Sequence, residues 1–134
     1  MEKTIINPEA LAPPRGFNHG ILTTGGSLLF LAGQDAGDAE GNIVGPGDIV
    51  AQFEQILRNF KAVVEEAGGT MQDIVKLNIF VCDREDYIAK RRELGKVHRA
   101  YFGNYYPTMA LLEISALYQA EAVIELEGIA VIDQ

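Results

Sequence analysis

Two apolar runs late in the chain, residues 109–115 and 122–132, constrain its fold more than any other feature. In the first, every residue but Glu113 and Ser115 is apolar, and the second is broken only by Glu125, Glu127 and Gly128. Runs of this length and apolarity predict two core strands. Strand side chains alternate between faces, so Met109, Leu111, Glu113 and Ser115 share one face, and Glu125 and Glu127 share one face of the second strand. A carboxylate in such a strand has two readings. It sits on a solvated or subunit-facing sheet surface, or it lines a cleft that needs it.

The rest of the chain supplies the layer that these strands must pack against. A short strand is expected at residues 4–6, followed by a Pro-rich loop at 8–14. Apolar runs at 21–24 and 27–32 flank Gly25-Gly26 and predict a hairpin, because glycine accepts the positive φ of tight turns. A polar loop at 35–47, with a short irregular strand around 42–44, leads to Asp48, which suits a helix N-cap. Phe53, Ile56, Leu57, Phe60, Val63, Val64 and Ala67 recur at helical spacing, which predicts a helix over about 48–67 stopped by Gly68-Gly69. A strand at Ile74–Val81 follows, with Val75, Leu77, Ile79 and Val81 on one face. Tyr87, Leu94, Val97, His98 and Tyr101 predict a second helix over 87–102 ending at Gly103, with His98 as a packing or surface residue. The resulting order is ββαβαββ, an α+β arrangement with two helices on one face of a mostly antiparallel sheet. The strands are apolar on both faces while the helices cover only one, which predicts an oligomer.

Composition narrows the function. A chain of 134 residues that is 48% hydrophobic and 22% charged fits one globular domain, 1–134. The net charge of −8 argues against nucleic-acid partners, since that binding rests on neutralising phosphates. The one dense basic cluster, Lys90-Arg91-Arg92, falls on the second predicted helix and reads as a solvated face. Cys82 is the single cysteine, so no internal disulfide is expected; it reads as a small buried or half-buried residue near a strand end. No apolar run reaches signal-peptide or membrane-spanning length, and a cytoplasmic protein with no membrane partner is expected. His19, His98 and Cys82 lack metal-ligand spacing, so neither metal nor cofactor is expected.

Several short segments occur together in a recognisable order. They are Ala32-Gly33-Gln34, Gln52 with Asn59, Asp73-Ile74-Val75-Lys76, Pro107-Thr108-Met109 and Glu125-Leu126-Glu127. In this order, over nearly the whole chain, they resemble the RidA (YjgF/YER057c) family of small trimeric imine and enamine deaminases, also labelled L-PSP endoribonuclease-like. The resemblance implies the RidA/chorismate-mutase-like fold, a homotrimer whose sheets pack around a central core, and small-molecule sites in clefts between subunits. It makes Glu125 the water-positioning carboxylate and places Ala32 and Gly33 on the loop that usually reads Ser-Gly. Phe17 stands where a tyrosine usually lines the pocket. Met109 stands in place of the arginine that grips the substrate carboxylate, and Leu111 in place of a neighbouring cysteine.

All four replacements lose polarity. The resemblance therefore implies a divergent deaminase with a more apolar substrate, or a ligand whose anchor comes from elsewhere. Arg15, two residues before Phe17, and His19 are the available anchors; Arg15 otherwise reads as an exposed loop residue beside Pro14. The alternatives are a trimer that binds a metabolite without turnover and, last, an endoribonuclease, against which both the charge and the apolar replacements argue.

Overall fold

The computed structural model describes residues 1–133. Its first helix, α1 (Ile49–Glu66), starts where the Asp48 side chain accepts hydrogen bonds from the backbone N–H groups of Val50 and Ala51, both at 3.1 Å. It stops at Gly68, whose φ of +89° is open to glycine at little cost. The predicted apolar stripe is the buried one: Phe53, Ile56, Leu57, Phe60 and Val64 enter the core, while Val63 stays 38% exposed at its edge.

The strands are β1 (Glu2–Ile6), β2 (Gly20–Thr24), β3 (Ser27–Gln34), β4 (Ile74–Val81), β5 (Thr108–Glu113) and β6 (Ile124–Ile132). They form two sheets: β1 with β2, and a four-stranded sheet ordered β3-β6-β4-β5. All pairs are antiparallel except β4 with β5. The strands at 109–115 and 122–132 are β5 and β6, and β4 separates β5 from β6 in the sheet.

Three local expectations are corrected. The runs at 21–24 and 27–32 do not pair as a hairpin: β2 pairs with β1 and β3 with β6, and Gly25 and Gly26, both at φ +76°, carry the chain from one sheet to the other. The second helix is two, α2 (Arg84–Ala89) and α3 (Arg91–Phe102), divided at Lys90, where the backbone leaves helical geometry at φ −108° and ψ 15°. With α2 and α3 taken as one helical layer and β1 set before the rest, the order is the expected one. Along β4 a register shift between Ile74 and Lys76 puts Ile74 among the buried residues, with Leu77, Ile79 and Val81, and leaves Val75 half-buried.

The core lies between the helices and one face of the four-stranded sheet. Leu31, Leu77, Ile79, Leu126 and Ala130 line that face and pack with Ile56, Leu57 and Phe60 of α1 and Leu94 and Phe102 of α3. The other face is uncovered in the single chain. By register it carries Leu28, Phe30, Asn78, Phe80, Leu112, Glu125 and Glu127, and Leu28 and Phe30 are 65% and 70% exposed.

Candidate functional site

Pairing decides which candidate residues can meet. Met109 lies opposite Leu77 and Leu111 opposite Ile79, so both project to the helix side of the sheet. Glu125 lies opposite Phe80 and Glu127 opposite Asn78, on the uncovered side. The candidate residues therefore form two groups on opposite faces of one sheet.

The first group is assembled by a hydrogen-bonded loop. Asn18 donates from Nδ2 to the Tyr106 carbonyl at 2.6 Å and from its backbone N–H to the Pro107 carbonyl at 3.2 Å. Asn7 donates from Nδ2 to Asn18 Oδ1 at 2.8 Å and accepts at its own Oδ1 from the His19 backbone N–H, also at 2.8 Å. The His19 ring lies 2.8 Å from the Ala12 carbonyl through Nε2 and edge-on to Phe17, with centroids 5.2 Å apart. His19 thus shapes the loop, and Arg15 and Phe17 are delivered beside Met109. Tyr106 is held in turn by a ring stack, 4.5 Å from His98, which stacks 4.4 Å from Phe102.

Two adjoining cavities open at this loop. One, of 310 Å³, is walled by Phe17, Met109, Leu111, Tyr87, Arg15 and Arg84. The other, of 300 Å³, runs beneath α3 between Leu94 and His98 above and Leu77 and Ile79 below, with Arg15 and Arg91 among its lining residues. Burial holds the Tyr87 phenol above its ordinary pKa and the His98 imidazole below its own, so both are neutral at neutral pH. His98 is 7% exposed and bonded through Nε2 to the Tyr105 carbonyl at 2.9 Å, the packing role expected of it.

The second group is Ala32, Gly33 and Glu125. A Cβ added at Gly33 would come within 2.6 Å of Glu125 Oε2, so the missing side chain is what lets the carboxylate lie against β3. Desolvation first, then the charges of Asp35 and Glu127, hold the Glu125 carboxyl above its ordinary pKa. The other two carboxylates of β5 and β6 have partners. Glu113 accepts from the Arg84 backbone N–H at 2.8 Å at the start of α2, and Glu127 accepts from Asn78 Nδ2 at 3.3 Å. Glu125 accepts no hydrogen bond among the described residues.

Two amides of α1 brace this half. Fully buried Gln52 donates to the carbonyls of Gly45 and Glu121, at 3.0 and 2.9 Å, and accepts from the Val123 N–H at 2.9 Å, which fixes the start of β6. Asn59 donates to the Gly37 carbonyl at 3.0 Å, in the loop that follows β3.

The same arrangement of elements occurs in known proteins. The model of the Endoribonuclease L-PSP family matches residues 7–132. The chain belongs to this family. Its relatives in this L-PSP family include a RutC family protein of Pyrococcus abyssi, 33% identical over 131 residues, covering 97% of this chain and 98% of that one. A crystal structure of a protein of unknown function in the conserved Rid family of Yersinia pestis is 33% identical, with a TM-score of 0.88, and covers 98% of this chain and all 100% of its own. The RidA structure from an Antarctic Psychrobacter is 29% identical, with a TM-score of 0.68, over 96% and 98% of the two chains. The resemblance seen in the sequence is thus one of descent and fold.

Among the described residues no group of histidine, cysteine or acidic side chains could hold a metal ion, and no helix is long and apolar enough to cross a membrane. Sequence reasoning missed Tyr87, Arg84, Arg91 and Leu94 as cavity residues. Arg91 belongs to the basic cluster read as a solvated face; the break at Lys90, whose Nζ pairs with Asp86 at 2.9 Å, separates it from α2 and sets it at the cavity.

Proposed function

We propose that this L-PSP-family chain is an imine or enamine deaminase acting as a homotrimer, each site combining the Arg15–Phe17–Met109–Leu111 half of one subunit with the Gly33–Glu125 half of its neighbour. The observation that carries this reading is the carboxylate of Glu125. It accepts no hydrogen bond among the described residues, its pKa is raised by desolvation and by the charges of Asp35 and Glu127, and it lies on an uncovered sheet face rich in apolar side chains. A carboxyl poised above the usual range gives and takes protons near neutral pH more readily than an ordinary one. Neither half alone encloses a reacting centre; β5 is an edge strand, and a neighbour whose uncovered sheet face packs at that edge supplies the missing wall with its own Glu125.

The chemistry follows from these positions. Glu125 takes a proton from water as the water oxygen bonds to the C=N carbon and the π pair moves to nitrogen. The protonated Glu125 then returns the proton to the nitrogen of the carbinolamine. The hydroxyl proton then passes through Glu125 to that nitrogen, so that the C–N bond breaks as the C=O bond forms and ammonia leaves. An enamine first takes a proton on carbon and gives one up from nitrogen to reach the imine.

Met109 brings no charge to the cleft. A hydrogen bond to a charged group contributes about 1.5 to 3 kcal/mol, so a small carboxylated imine loses about ten- to a hundredfold in binding. The surrounding Phe17, Met109 and Leu111 favour an apolar substrate instead. The same loss of polarity supports a second reading, a trimer that binds a metabolite without turnover. Ribonuclease activity, the family's other label, is disfavoured by the net charge of −8.

Imines generated in situ from small and large amino acids by an amino-acid oxidase, with semicarbazide trapping, test the reading. Accelerated loss of the large apolar imines is expected. A compound that raises the melting temperature but comes back unchanged favours the binding reading.

A further inference from the structure

The cavity beneath α3 plays no part in the reaction as written, yet it adjoins the cleft through shared walls at Arg15, Tyr87 and Met109. It exists because α3 packs on α1 and stands off the sheet above Leu77 and Ile79. Its depth is apolar, formed by Phe53, Leu77, Ile79 and Leu94. Its charges are guanidiniums of exposed residues, Arg15 from the loop and Arg91 from the first turn of α3, which places them at the mouth. Arg84, at the outer cavity, is paired with Glu85 at 3.2 Å, whereas Arg15 and Arg91 enter no ion pair among the described residues. At 300 Å³ the space is at the small end of ligand pockets.

Two free cations above an apolar floor select a ligand of matching polarity. A planar guanidinium pairs well with a carboxylate, while a polyanion or sugar would bury polar groups against Leu77, Ile79 and Leu94 without partners. We propose that this cavity holds the apolar side chain of a monocarboxylate ligand whose carboxylate is paired by Arg15 and Arg91 at the mouth. The assignment of that ligand as an imino acid rests on the deaminase reading; the pocket itself does not. Met109 then acts as a wall of the side-chain pocket, and the carboxylate anchor has moved from β5 to the loop and α3.

Calorimetric titration with acetate, butanoate, hexanoate and hexanamide tests this with saturated compounds that the chain cannot hydrolyse. Affinity should rise about fourfold for each methylene buried. Hexanamide should bind about ten- to a hundredfold more weakly than hexanoate. Arg91→Gln, an exposed change that leaves the core intact, should weaken hexanoate and leave hexanamide unchanged. Leu94→Trp, checked for a retained melting transition, should abolish the dependence on chain length.

Equal affinity for acetate and hexanoate, an amide that binds as well as the acid, or indifference to Arg91→Gln would each overturn the proposal. So would the absence of saturable hexanoate binding at millimolar concentrations. Hexanoate that binds to a protein whose imine hydrolysis ignores Glu125→Gln leaves the pocket standing and removes the deaminase reading. Glu125-dependent hydrolysis without hexanoate binding does the reverse.

Discussion

Glu125 and Gly33 are one unit at the level of single residues. The carboxylate occupies the space a side chain at position 33 would take, and its raised pKa means that the folded chain holds the proton more tightly than the unfolded one. Between the ordinary value and the raised one the native state binds more protons, so stability falls as pH rises through that window. Glu125→Gln should therefore abolish turnover while melting no lower than wild type at neutral pH, and its advantage should vanish at pH values below the ordinary carboxyl pKa. Parallel melting curves across that range check the sign; a variant that melts well below wild type at neutral pH would make Glu125 a structural residue. His98 works in the opposite direction. Its lowered pKa makes the native state bind fewer protons, so it contributes a loss of stability as pH falls below its unfolded value of 6.5. Met109→Arg tests specificity: a guanidinium at that position should improve handling of small imino acids about ten- to a hundredfold and narrow the cavity against large ones.

Gly33, Met109 and Glu125 stood out as candidates in the sequence because the segments that carry them have a recognisable order. What could not be read was that Met109 and Glu125 face opposite ways. Alternation assigns residues to faces within a strand, but which faces coincide between strands depends on pairing register, and β4 inserts between β5 and β6. Glu113, equally conspicuous in its apolar run, proved to be a partner for the first N–H of α2, a role set by a contact between residues 29 positions apart.

At the level of elements, α1 was legible to within its caps because Asp48, the apolar stripe and the terminating glycines all agree. The break at Lys90 was not, since neither proline nor glycine marks it and the periodicity continues across it. The apparent hairpin at Gly25-Gly26 had the right turn chemistry, but strand pairing is decided by the whole sheet, where β6 offers β3 a longer ladder than β2 could. The join between α1 and β6 runs through Gln52. Gln52→Ala removes the partners of the Glu121 carbonyl and the Val123 N–H and leaves the Gly45 carbonyl only the Asp48 N–H, which should cost about 1 to 3 kcal/mol. Because Val123 stands two residues before Glu125, turnover should fall with it. Urea unfolding midpoints and imine hydrolysis measured on the same preparations check both effects.

For the whole molecule, the uncovered face of the four-stranded sheet is the dominant fact. Leu28 and Phe30 leave it at 65% and 70% exposure, the kind of apolar surface that marks an interaction site. Phe30→Asp should yield monomers in sedimentation analysis and, on the proposal that each site draws on two subunits of a trimer, lose turnover in step with the loss of assembly. The most direct measurement of the shared site is subunit complementation. Glu125→Gln damages one half and Leu111→Trp blocks the other, so each homotrimer should be inactive. Unfolded together and refolded as an equal mixture, they should recover about a quarter of wild-type imine hydrolysis, the fraction of interfaces that pair two intact halves in a symmetric ring. Recovery of that order establishes a site shared between subunits, whereas a mixture as inactive as its parents would place Glu125 and Leu111 in separate, single-chain roles and contradict the account.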